Sequence, residues 1–261
     1  MTPILEVKDA SKNFGGIQAV KQVTFELTKG EIVGLIGPNG AGKTTLVNMI
    51  TGVHPCSDGK VIFEGTDVTA QKPHQAARRG IARTFQIVQP FPAMTVVENV
   101  SAGSLFAEGL TSMKSAREAA MEHLRFVGLI DLADAPANSL TLAYRKRLEL
   151  AKSLAMKPRV LMLDEVNAGL NASEIDGALD LIRKISAQGI TILIIEHLMK
   201  VVLSLSDRVL VLHHGELISE GNPADVVSDD KVIEAYLGPK FAERFKDHAT
   251  KGSAPQEAPH A

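Results

Sequence analysis

The sequence holds one cysteine, Cys56, in 261 residues, so no internal disulfide can brace the fold, and that usage fits a reducing compartment. Long apolar runs are missing too. The longest, such as 190–195, fall far short of the roughly 20 residues a membrane-spanning helix needs, so a tie to a membrane has to go through a partner. There is no leader with a basic start and an apolar middle, which leads us to expect a cytosolic chain. Neither charge dominates. With 28 Lys and Arg against 30 Asp and Glu, nonspecific binding to nucleic acid is not expected to be the main business. No internal repeat is present. What the chain does have is 45% hydrophobic residues, enough to bury a substantial core in one large domain or two small ones.

One stretch orders the rest. Ile32, Val33, Leu35 and Ile36 form a short apolar run that reads as a buried parallel strand, and it breaks into Gly37-Pro38-Asn39-Gly40-Ala41-Gly42 before Lys43-Thr44-Thr45 opens a helix. Gly37, Gly42, Lys43 and Thr44 match the G-x-x-x-x-G-K-[ST] pattern. Small residues there let successive backbone N–H groups converge on phosphate oxygens at the positive end of the helix. Lys43 would then reach the β/γ-phosphates, and the Thr44 hydroxyl would meet Mg²⁺. A bare Gly-rich turn is the plainer reading, but a strand before it and a helix after it point to nucleotide binding.

Before this loop, Leu5 and Val7, then Val20, Val23, Phe25 and Leu27, alternate as strands do around Gly15-Gly16, an antiparallel flank expected beside the nucleotide strand. Phe14 precedes that glycine pair and is either a core or turn residue or a platform for a purine. After the loop helix, 59–65 reads as a strand, 72–79 as a short helix closed by Gly80, and 81–86 as a strand ending in Gln86. Taken alone, Gln86 is an ordinary surface glutamine. From Met94 to Met156 strand signals stop, and helices are expected over 98–106, 113–127 and 140–156, as a block with mostly local packing.

The alternation returns with Val160-Leu161-Met162-Leu163-Asp164-Glu165, an apolar strand ending in two carboxylates. A strand-end Asp in a phosphate-loop protein sits near Mg²⁺, and an adjacent carboxylate suits the polarising of an attacking water. An amphipathic helix over 172–188 leads to a fully apolar strand, 191–195, followed by Glu196-His197. That strand should run parallel to the Asp164 strand, so His197 can reach the γ-phosphate region. His213 and His214, as neighbours in a strand, should point to opposite faces and share no ion. A hairpin over 208–220 turning at Gly215, two short helices near 223–227 and 231–237, and a disordered tail from 241 to 261 complete the chain.

In this order the motifs resemble the ATP-binding cassette of ABC transporters over nearly the whole chain to about Gly238. The resemblance implies an α/β phosphate-loop NTPase: a parallel-sheet nucleotide core with its antiparallel flank over 1–89 and 159–240, and an inserted helical subdomain over 90–158. It implies that Phe14 stacks on adenine, that Gly37 to Thr45 hold the phosphates, and that Gln86 contacts Mg²⁺ and the attacking water while coupling to a membrane subunit. It makes Asp164 the metal-orienting carboxylate, Glu165 the catalytic base and His197 the switch histidine. Two departures stand out. Where the family reads Leu-Ser-Gly-Gly-Gln, this chain reads Leu140-Thr141-Leu142-Ala143-Tyr144, so Thr141 keeps a hydroxyl while added Cβ atoms restrict the approach of Ala143 and its neighbours to a phosphate. Val166 stands for the usual proline after the base, and Asn171 for the usual aspartate of Gly169-Leu170-Asn171.

These variants, with Arg83-Thr84-Phe85-Gln86 and Glu234-Ala235-Tyr236-Leu237-Gly238, look most like ATP-binding subunits of branched-chain amino acid importers. That resemblance implies ATP and Mg²⁺ as cofactors, a second ATPase subunit like or unlike this one, two integral membrane subunits, a solute-binding protein and a place on the inner face of the plasma membrane. Each nucleotide would lie between one subunit's phosphate loop and the other's signature loop, Thr141 and Ala143 included. The rival is a soluble ABC ATPase acting as an ATP-driven clamp. A small-molecule kinase would need an acceptor pocket, for which these motifs give no reason.

Overall fold

A computed structural model describes residues 3–85, 90–108 and 112–237. The chain opens with two long strands, β1 (Pro3–Phe14) and β2 (Ile17–Thr28), followed by β3 (Ile32–Ile36) and helix α1 (Lys43–Ile50). β4 (Asp58–Phe63), β5 (Thr66–Asp67), α2 (Pro73–Arg79) and β6 (Ile81–Arg83) come next, then the helices α3 (Val96–Glu108), α4 (Met113–Val127) and α5 (Leu142–Ala155). β7 (Val160–Asp164), α6 (Ala172–Ser186), β8 (Thr191–Ile195), α7 (Met199–Leu205), β9 (Arg208–His213), β10 (Glu216–Gly221), α8 (Pro223–Val227) and α9 (Asp230–Leu237) finish it.

The strands fall into two sheets. A six-stranded sheet runs β10-β9-β3-β8-β7-β6, with β9 through β6 parallel and β10 antiparallel at the edge. A separate antiparallel sheet runs β2-β1-β4-β5. The flank expected beside the nucleotide strand is therefore not edge-on to it. β3, β7 and β8 are buried at every position, as strands covered on both faces must be. Val33, Leu35, Met162, Leu193 and Ile195 pack with Leu5, Val7, Val20 and Leu27 of the antiparallel sheet and with Leu46, Val47 and Ile50 of α1. Fully burying each such side chain stabilises by about 1.5–3 kcal/mol, which is why the second sheet stacks across a face.

The alternate residues Ile32, Leu161, Leu163, Ile192 and Ile194 look the other way, into a cluster with Val97 and Val100 of α3, Ala120 and Leu124 of α4, Leu148 and Leu154 of α5, and Ile182 of α6. The helical block packs mostly within itself, as expected, with α3, α4 and α5 each against the other two, and its apolar side is continuous with this face of the sheet. The α4 stripe of Ala116, Ala120, Leu124 and Val127 is buried as its spacing implies. β6 stops at Arg83, three residues short of the expected end, though Thr84 N–H still donates to Met162 O at 2.9 Å. Among the described residues no helix is long and apolar enough to cross a membrane.

Candidate nucleotide site

At the carboxyl end of β3 the chain turns where only glycine fits. A Cβ on Gly37, at φ 151°, would sit 2.0 Å from the Leu212 carbonyl oxygen of β9; one on Gly42, at φ 105°, would sit 2.5 Å from Ala19 O. These two close approaches curl 37–42 into a cradle beneath the start of α1, whose N-terminus has no side-chain cap, so its orphan N–H groups are available to an anion. Lys43 is 6% exposed, and its Nζ donates to Gly37 O at 2.7 Å and Pro38 O at 3.0 Å. Burial pushes its pKa down, while the carboxylates of Glu165 and Asp164 pull it back up. A cavity of about 280 Å³ is lined by Ala19, residues 39–45, Glu165 and His197. A concave nest of backbone donors with a buried ammonium fits phosphate.

Parallel strands deliver the carboxylates to the same end of the sheet. Asp164 closes β7 and is buried. Its N–H is held by Thr84 Oγ1 at 3.1 Å, and its Oδ2 lies 3.1 Å from Arg83 Nη2. Burial raises the Asp164 pKa and the Arg83 guanidinium opposes the rise. Arg83 also donates to Asn48 Oδ1 of α1 at 2.5 Å, so one guanidinium ties β6, β7 and the loop helix together. Asp164 and Thr44 carry hard oxygens of the kind a divalent cation such as Mg²⁺ takes.

Glu165 stands one residue beyond β7 at φ 49°, a region costly for a residue with a Cβ. Its N–H donates to Ile195 O at 2.9 Å. His197, two residues past the end of neighbouring β8, places Nε2 2.5 Å from Glu165 Oε1. An imidazole so placed can orient the carboxylate over the cradle.

Other expected residues lie elsewhere. Phe14, at the end of β1, is 44% exposed and meets His54 edge-on at 5.3 Å, with Lys12 Nζ 5.1 Å from its centroid; it is not among the residues lining the loop cavity. Thr141 caps α5, accepting from Tyr144 N at 3.4 Å, and with Ala143 lines a second cavity of about 340 Å³ against α6. Gln86 lies outside the described residues. The two histidines are not splayed: His214 takes φ 49° at the turn, leaving the strand's alternation, and the rings of His213 and His214 lie 4.0 Å apart. Among the described residues no group of three or more His, Cys, Asp or Glu could hold a metal ion.

Sequence reasoning assigned no role to Arg83, Lys146, Asn167 or Glu196. Glu196 is 2% exposed and accepts from Asn167 N at 3.2 Å and Nδ2 at 2.7 Å; burial raises its pKa, against those hydrogen bonds. Glu196 follows a fully apolar strand, a signal of a buried carboxylate, whereas Lys146 stands between Arg145 and Arg147 and gives no such signal.

Known proteins resemble this chain in sequence and fold. A family model described as ABC transporter matches residues 20–168, and one described as branched-chain amino acid ATP-binding cassette transporter matches 216–238. The chain is similar to the high-affinity branched-chain amino acid transport ATP-binding protein BraF of Pseudomonas aeruginosa, with 39% identity over 90% of this chain and 98% of the relative. It is also similar to LivG of Escherichia coli, so described too, with 39% identity over 90% and 98%. Among solved structures, a nucleotide-free ATP-binding cassette from an ABC transporter superposes with a TM-score of 0.83 at 34% identity, covering 91% of this chain and 100% of that one. A dimeric post-hydrolysis cassette bound to ADP and Pi superposes at 0.76 with 26% identity, over 84% and 98%.

Proposed function

Because the chain belongs to the ABC transporter ATP-binding family, we propose that it is the ATP-hydrolysing subunit of an importer for branched-chain amino acids or related small polar solutes. The observation that carries the reading is the Glu165–His197 pair, 2.5 Å apart over a phosphate cradle built by a different strand. In this reading the loop N–H groups and Lys43 bind the phosphates of ATP, Phe14 stacks on adenine, Glu165 takes the proton of the attacking water, and His197 holds Glu165 in line. Thr44, Asp164 and Gln86 would hold Mg²⁺, which when bound would supply charge neutralisation to the transferred group. Thr141 and Ala143 serve the nucleotide of a second ATPase subunit, like or unlike this one.

Residues 90–158 form the unit that seats a coupling element of two integral membrane subunits, which place the chain on the inner face of the plasma membrane; a solute-binding protein acts upstream. ATP closure then moves the membrane helices, and the solute never enters this chain. Steady-state MgATP hydrolysis and nucleotide binding test the chemistry: Glu165→Gln should lose turnover at least about 100-fold and keep ATP binding, whereas unchanged turnover would remove Glu165 as the base. Co-purification from detergent tests the setting. Recovery with multi-span membrane subunits and stimulation by branched-chain amino acids support the importer; recovery with soluble partners alone supports the clamp.

A further inference from the structure

Among the described residues, Lys146 is a buried cation that the ATP site does not use. Lys146 lies in the first turns of α5, the helix that Thr141 caps, and is 7% exposed. A lysine so buried is rare unless it is paired. Its Nζ donates to the carbonyl oxygen of Glu165 at 3.0 Å, which also accepts from Ala168 N at 3.2 Å, while Glu165 N donates to Ile195 O at 2.9 Å. Hydrogen bonds therefore hold both sides of a residue at φ 49°, a conformation that persists only where the surroundings over-determine it. Behind this turn, Asn167 joins Glu196 through two hydrogen bonds. Burial lowers the Lys146 pKa, and the carboxylates of Glu196 and Glu165 act against that shift. The ammonium thus sits in a polar seam between α5 and the ends of β7 and β8.

We propose that Lys146 is a positioning residue for Glu165: it fixes the turn that aims the carboxylate into the loop cavity. It does so from the helix that begins at the signature-like loop, so a displacement of α5 is felt at the base. Of the turn's other hydrogen bonds described above, one runs from Glu165 N to the Ile195 carbonyl of β8 and one from Ala168 N within the turn itself, and neither reports on the helical block. This inference rests on the reading of Glu165 as the base.

The test compares kcat, the KM for ATP and thermal unfolding of the full chain with those of Lys146→Met, Lys146→Gln, Lys146→Arg and Glu165→Gln. Met fills the space without a donor, whereas Arg keeps a charged donor able to reach the same carbonyl. Lys146→Met should lose at least about tenfold in kcat, since misaimed catalytic groups lose rate steeply. Its KM should stay within about twofold, its melting temperature should not fall, and Lys146→Arg should recover most of the rate. A Met variant with full kcat would overturn the proposal, as would a loss carried by KM, an Arg variant no better than Met, or Met and Gln variants that both fail to fold. Turnover retained in Glu165→Gln would overturn the ATP-site reading and this inference with it. Loss in Glu165→Gln with none in Lys146→Met would overturn the positioning role alone.

Discussion

The phosphate loop and the signature-like loop differ in how much of a site each completes. Around 37–45 the chain brings its own carboxylate and imidazole, Glu165 and His197, to the cavity wall. Around 141–144 it brings only α6 and the segment after β7: Val166, Leu170, Glu174 and their neighbours line that cavity, and no residue of the phosphate loop does. Leu142 and Tyr144 are left 46% and 39% exposed. One loop is built into its site by backbone contacts that forbid a side chain; the other is an exposed helix start with a weak cap. The difference suits the proposed reading, in which the chemistry sits on one chain and the second wall of the site is supplied by another.

The comparison breaks most easily at Gly37. An added Cβ 2.0 Å from Leu212 O has only backbone to push against, so Gly37→Ala should cost at least about 3 kcal/mol or abolish folding, read by denaturant unfolding. An alanine variant melting like the parent would mean the cradle is loose. Lys43→Ala comes next: with the buried ammonium gone, nucleotide affinity should fall at least about 100-fold with little loss of stability, measured by calorimetric titration of ATP.

At the other loop the expected effects shrink. Thr141→Ala removes a cap whose hydrogen bond is 3.4 Å long, so thermal unfolding should change by about 1 kcal/mol or less, and ATP affinity of the isolated chain should not move. Weakened ATP binding there would place Thr141 in the chain's own site and end the contrast. The smallest effect is at Glu196. Its folded pKa lies above the ordinary carboxylate range because it is buried, so the folded state binds its proton more tightly than the unfolded chain does. Stability from this group is then full below the ordinary carboxylate pKa and declines as pH rises through the raised one. Glu196→Gln should flatten that decline in chemical denaturation followed from pH 4 to 8, and an unaltered slope would exclude Glu196 as its source.

The phosphate loop was legible because its logic is local. Strand, glycines, lysine and helix follow within a dozen residues, and the Lys43 bonds to Gly37 and Pro38 span six and five. The strand-end carboxylates were legible because buried parallel strands read as apolar runs. Arg83 was not: it acts on Asp164, 81 positions away, and its own strand is three residues long. Alternation along β1 and β2 fixed which residues are buried but not which surface buries them, so the second sheet was placed at an edge instead of across a face. At His214 a left-handed turn residue broke the alternation that the histidine reading assumed.

Whether Thr141 and Ala143 serve a neighbour's nucleotide is best tested by disulfide trapping. In a background with Cys56→Ser, Asn39→Cys lines the phosphate-loop cavity and Leu142→Cys stands on the exposed start of α5; each is placed in a separate copy, or one in this chain and the other in a co-expressed second ATPase subunit. Under mild oxidation the account predicts a cross-linked pair that forms with ATP in the Glu165→Gln background and stays scarce without it. A chain that never joins the two positions between molecules, with either partner and at saturating ATP, would contradict it.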